Sequence, residues 1–261
     1  MKDEARVNAI VEAVLPAWRE KRRIPLLSGA LVPANLEEAF DVQEELARRL
    51  GRQNAGWKLG MSSPAAMKTF KLDRPMTGRL FRDVMTTSPA KFARADFHVP
   101  MWEAEFAFRM GRDVGSRFAT YGKDEVLDAV ESCVLGIEVA DSRYDAKPPI
   151  DARILAADNG ATGAYVVGPA VKDWRGLDYV GHEVKLLVDG RDVGQLKGEM
   201  RPNCIDVLVW TANEMSRRGV GLKAGDVIST GAAAAPYRME QATGKVVADF
   251  GKLGRVEAEI G

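Results

Sequence analysis

The chain reads as an α+β protein, with a helical N-terminal part over residues 1–54 and a strand-rich body over 55–261. Three observations predict it. The first fifty residues carry apolar side chains at helical spacing. From about residue 55 the pattern changes to short alternating segments broken by turn residues. Helix-like and strand-like segments then fail to alternate regularly, as a βαβ architecture would require.

In order along the chain, residues 3–22 place Val7, Ile10, Val11, Val14 and Leu15 on one helical face. Residues 24–35 carry Pro25, Gly29 and Pro33 and read as a connector. Residues 35–50 begin at a candidate cap, Asn35, followed by Glu37 and Glu38, which suit a positive helix start, and stop at Gly51. Residues 55–61 (AGWKLGM) read as a strand, 64–72 as a short helix and 101–110 (MWEAEFAFRM) as a clearly alternating strand. A helix is predicted near 123–133, a strand at LGIEVAD, and a hairpin over 183–196 turning at Asp189–Gly190. A helix over about 203–218 and three strands in the tail complete the reading.

Composition narrows the function classes. Lys plus Arg equals Asp plus Glu at 37 each among 261 residues, without the basic excess of a nucleic-acid binder. No apolar run reaches the roughly 18 residues of a membrane helix, and the charged start MKDEARVNAIVEAV is unlike a signal peptide. The expected location is cytoplasmic. Two cysteines, Cys133 and Cys204, offer neither a disulfide framework nor a thiolate zinc site. With only His98 and His182, both read as structural, enzymatic chemistry would fall to carboxylates, lysine or a metal.

Five segments could carry it. On a strand, Trp102, Ala104, Phe106 and Phe108 share one face, while Glu103 and Glu105 share the other. Two carboxylates so placed repel unless a cation lies between them, and Mg²⁺ or Mn²⁺ would answer. A solvent-facing strand edge explains the same pattern. Glu138 sits inside an apolar strand beside small residues, paired with an arginine or on a metal. Lys58 lies between Gly56 and Gly60, either snorkelling to water or held in a pocket as a proton shuttle. Asp158 and Asn159 precede a glycine turn that they suit by turn chemistry alone. Ser229, Thr230 and Gly231 end a strand where free N–H and hydroxyl groups can bind a carboxylate.

Taken together and in order, GWKLGM, GRL at 78–80, WEAEFAF, LGIEVADSRY, ADN at 157–159, LKAGDVISTG and ADFGKLGRVEAEI resemble the fumarylacetoacetate hydrolase superfamily. The nearer branch is that of 2-oxopent-4-enoate hydratases and 4-oxalocrotonate decarboxylases of aromatic catabolism. The resemblance implies a barrel-like, strand-rich core and a homo-oligomer, in some cases complexed with a sister hydratase or decarboxylase. It implies a Mg²⁺ or Mn²⁺ site at Glu103, Glu105 and Glu138, and Lys58 as the catalytic proton carrier. A small 2-oxo acid would meet Gly60, Met61, Arg79, Asp158, Thr230 and Gly231. Hydratases of this branch carry an Asp-x-Gly where this chain has Met76-Thr77-Gly78, and GRLFRDVM and DSRY fit the decarboxylase form better. The expectation is therefore a decarboxylase of 2-oxo-3-hexenedioate, with a 2-hydroxypentadienoate hydratase as the alternative. An inactive partner or binding protein on the same fold would lack a reason to keep all three glutamates and Lys58. The segment LKGEMRPNCID at 196–206 stands where the family has a Gly/Ala-rich stretch.

Overall fold

Helix α1 (Glu4–Glu20) starts at Asp3, whose carboxylate accepts the Arg6 amide, and α2 (Leu36–Leu50) starts at Asn35, which accepts the Glu38 amide at 2.9 Å. Each cap satisfies an N–H that the first turn leaves free. Gly51, in the left-handed region, ends α2. Val7, Ile10, Val11, Val14 and Leu15 are buried against Val42 and Leu46. The computed structural model describes residues 3–240 and 243–261.

The body follows as β1 (Asn54–Gly60), α3 (Pro64–Phe70), β2 (Met76–Phe81), β3 (Met85–Thr87), β4 (Ala90–Phe92), β5 (Met101–Met110), α4 (Lys123–Asp128) and β6 (Val130–Ala140). Next come α5 (Ala152–Ala157), β7 (Thr162–Val171), β8 (Lys185–Val188), β9 (Arg191–Asp192) and α6 (Cys204–Arg217). The chain ends with β10 (Val227–Ala232), β11 (Tyr237–Arg238), β12 (Gly244–Asp249) and β13 (Arg255–Ile260). The larger sheet runs β2-β1-β10-β5-β6-β7-β3, with β11 paired to β5. Its two edges, β2 and β3, are joined only by the turn Arg82–Val84, so the sheet curls round toward closure. A second sheet runs β4-β13-β12-β8-β9.

The core lies where one face of the curled sheet meets the second sheet and α6. Trp102, Ala104, Phe106 and Phe108 enter it, with Leu186, Val246, Val256, Leu208 and Met215 opposite. Full burial of each large apolar side chain contributes roughly 1.5–3 kcal/mol. On the other face Leu80, Ala107, Val134, Tyr165 and Val227 pack together, and the polar residues of β5 and β6 share that interior.

Two predicted boundaries shift. The helix expected near 123–133 ends at Asp128, because VESCVLGIEVA is rich in Val and Ile and is drawn, buried on both faces, into β6 between β5 and β7. The helical layer also extends past residue 54 in content: Tyr144, Ile150, Ile154 and Ala157 pack with α1 and α2. The hairpin turns at Asp189–Gly190 as expected.

Candidate metal centre

Sheet register assembles the site. Glu103 lies directly opposite Glu138 across β5 and β6, and Glu105 lies opposite Gly136. Alternation keeps all three glutamates on the interior face, where one oxygen from each lies within 4.8 Å of the others. Glu105 and Glu138 are fully buried and Glu103 is partly buried. The strand-edge alternative for Glu103 and Glu105 thus gives way to an enclosed cluster.

Lys58, on β1, reaches across the interior, and its Nζ pairs with Glu138 Oε1 at 2.7 Å. The partner of Glu138 is therefore this lysine rather than an arginine. Lys58 is itself only 4% exposed, so snorkelling is excluded. Its stem runs against Gly160, and a side chain at Gly60 would collide with Met76 beside the lysine amine. Burial pushes the Lys58 ammonium down, but Glu138, Glu103 and Glu105 together outweigh it and hold the pKa above its ordinary value. The carboxylates by themselves therefore keep Lys58 charged, whereas the lowered pKa of a proton shuttle was expected of a lysine beside a metal.

The carboxylates respond in the opposite sense. Burial, then Glu138, raises Glu103 to about 7, and burial with Glu138 and Glu103 holds Glu105 well above its usual range. Fully ionised, three carboxylates against one ammonium would leave a formal charge of −2 in this interior. Glu105 Oε1 and Glu138 Oε2 have no hydrogen-bond partner among the described residues. Buried charged oxygens without partners are costly. An all-oxygen donor set of this charge suits a hard divalent cation, and the residues fit one.

The other predicted residues divide. Gly60 lines the cluster beside Lys58, and Met61, left-handed at φ 55°, turns the chain away just after it. Arg79 is not brought in. It pairs in register with Trp57, on the face opposite Lys58, and its guanidinium stacks on that indole and bonds Glu44 at 2.6 Å. Asp158 is likewise turned elsewhere, accepting from Trp18 Nε1 at 2.9 Å and from the Arg143 amide at 3.1 Å. It ties α1 to the segment after β6. The Thr230 hydroxyl donates to the Phe106 carbonyl at 2.7 Å, and Gly231 stands against Ser62, so both stitch β10 to its neighbours.

Two further residues reach the cluster: Ser229, which the sequence offers with Thr230 and Gly231 as a strand end able to bind a carboxylate, and Tyr165, which it does not single out. Ser229 donates its hydroxyl to Glu105 Oε2. Tyr165 lies opposite Glu138 on β7, with its ring laid over Gly136, where a Cβ would come 2.1 Å from the hydroxyl. The alternation in TGAYVV could have shown Tyr165, but β7 itself was not foreseen. Among the remaining polar candidates, the His182 ring bonds the Phe250 carbonyl at 2.9 Å, and both cysteines are buried and free.

Comparison with known proteins gives a consistent picture. The model of the family "Fumarylacetoacetate (FAA) hydrolase C-terminal" matches residues 65–261. A "2-keto-4-pentenoate hydratase" of Paraburkholderia xenovorans (strain LB400) is 31% identical over 225 residues, covering 85% of this chain and 82% of that protein. The "TodF product hydratase" of Pseudomonas putida is 30% identical, covering 88% of this chain and 87% of the relative. Among solved structures, the "4-oxalocrotonate decarboxylase from Pseudomonas putida G7", complexed with magnesium and adipate, superposes with a TM-score of 0.87 at 22% identity, covering 100% of this chain and 99% of that one. That likeness establishes the fold.

Proposed function

The chain belongs to the fumarylacetoacetate hydrolase C-terminal family, and on that premise we propose that it is a divalent-metal-dependent lyase that hydrates a small 2-oxo acid of the 2-keto-4-pentenoate type. The observation that carries the reading is the convergence of Glu103, Glu105 and Glu138 with Lys58 on one enclosed sheet face. The relatives named as hydratases support hydration over the decarboxylation that Met76-Thr77-Gly78 and DSRY favour.

Glu103, Glu105 and Glu138 would hold the cation, Mg²⁺ or Mn²⁺. A bound cation supplies a Lewis acid for the 2-oxo group. Hydration adds one water across a carbon–carbon double bond, and the preceding dienol-to-ketone change moves one proton from oxygen to carbon. Lys58 would carry that proton at Nζ, a role supported by its being the buried ammonium of the cluster, paired with Glu138. The surrounding apolar packing by Leu80, Val134 and Val227 limits competing water.

Decarboxylation is the second reading, favoured by Met76: its side chain packs against Gly60 beside Lys58, so no carboxylate stands there. The test is turnover of 2-hydroxypenta-2,4-dienoate with Mg²⁺ or Mn²⁺, followed through loss of its ultraviolet band. Metal-dependent loss is the expected result. No turnover of that substrate, together with CO₂ release from 2-oxo-3-hexenedioate, would replace the hydratase by the second reading. Inactivity on both would contradict the lyase assignment.

A further inference from the structure

Glu105 is presented asymmetrically. The Ser229 hydroxyl, on β10, donates to Oε2, while Oε1 has no partner among the described residues. Both side chains are fully buried, so bulk water does not compete for either oxygen. A bulge in the β5–β10 pairing lies between Ser229, opposite Ala107, and Ala232, opposite Glu105. This departure from simple alternation leaves Ser229 aimed diagonally at the carboxylate.

Tyr165 approaches the same point from the other side. Its hydroxyl stands where a Cβ on Gly136, directly opposite Glu105 in the β5–β6 register, would be. It is fully buried and has no hydrogen-bond partner of normal geometry among the described residues. Its position depends on Gly136, since any larger residue there would occupy the space of the ring. Ser229 on β10 thus bonds the carboxylate on β5, while the Tyr165 hydroxyl reaches over from β7 across the intervening β6, and neither hydroxyl belongs to the ligand set.

We propose that Ser229 is a positioning residue for the metal centre: it holds one oxygen of Glu105 so that the other alone faces the cation, with the Tyr165 hydroxyl backing Ser229. This rests on the metal reading of the glutamate cluster. Such partners orient a ligating carboxylate and remove the cost of fixing it when the cation arrives.

The experiment is Mn²⁺ binding to the full chain, followed by the electron paramagnetic resonance signal of free Mn²⁺, with the thermal midpoint as a folding control. Ser229→Ala is expected to weaken Mn²⁺ binding roughly 10–100-fold, and Ser229→Thr, which keeps the hydroxyl, to bind within about threefold of wild type. Tyr165→Phe removes one oxygen and no packing surface, and is expected to weaken binding by a smaller factor. Wild-type affinity in both Ser229→Ala and Tyr165→Phe would overturn the proposal while leaving the metal reading standing. Equal loss in the alanine and threonine variants would overturn it too, since packing and not the hydroxyl would then be responsible. If the wild type takes up no Mn²⁺, the metal reading fails and this inference fails with it.

Discussion

Lys58 carries a charge that burial alone would remove. Its ammonium stays protonated because Glu138 sits 2.7 Å away and two further carboxylates face it. Removing it leaves the carboxylates without an internal counter-charge but leaves all three possible ligands in place. Lys58→Ala is therefore expected to lower turnover by about 10²–10⁴-fold while Mn²⁺ affinity stays within a few-fold. Affinity lost in parallel with turnover would contradict the division between proton carrier and ligands. Asp158 gives the opposite case. Its carboxylate is buried between Trp18 and Arg143 and away from the glutamates. Asp158→Ala should cost about 3–5 kcal/mol in chemical denaturation, the usual loss on breaking a buried pair. Metal affinity should stay within a few-fold, and a stable variant that has lost substrate binding would restore Asp158 to the site.

Strands do the work of assembly at the next scale. Glu103 and Glu105 come from one strand, Glu138 from its neighbour, Ser229 and Lys58 from the two strands beyond, and register alone fixes which of them meet. Gly136 shows how tight that register is: a methyl group there would overlap the Tyr165 ring. Gly136→Ala is expected to lower stability by about 1–3 kcal/mol, the usual cost of overpacking, as read by urea denaturation. A wild-type midpoint would show that the ring can move freely. The same scale explains what could be read from sequence. The two N-terminal helices, the Asn35 cap and Gly51 stop of the second, the face pattern of β5 and the Asp189–Gly190 hairpin follow from local periodicity and turn chemistry. Arg79 could not be placed so, because its face depends on β2 pairing with β1, and no local signal marked β2. Ser229 is legible as part of the strand end Ser229-Thr230-Gly231, but its contact with Glu105 is not, because it depends on the bulge in the β5–β10 pairing.

The whole molecule is a curled sheet wrapped around acidic groups it has difficulty neutralising. Glu103 rises from an ordinary 4.5 to about 7 because of burial and then Glu138, and burial with Glu138 and Glu103 holds Glu105 well above its usual range. The folded, metal-free chain therefore binds more protons at these groups than the unfolded chain between about pH 4.5 and 7. Their contribution to stability is greatest below that window and falls as pH rises through it. A cation that replaces those protons reverses the penalty, so saturating Mg²⁺ or Mn²⁺ should raise the thermal midpoint more at about pH 8 than at about pH 5.5. Equal stabilisation at both would contradict the coupling. No helix among the described residues is long and apolar enough to cross a membrane. The most direct test of the central claim is the anomalous diffraction of a crystal soaked in Mn²⁺. The account predicts a single strong peak bonded to carboxylate oxygens of Glu103, Glu105 and Glu138. A soak that leaves these three glutamates without a peak, or places the ion on other ligands, would contradict it.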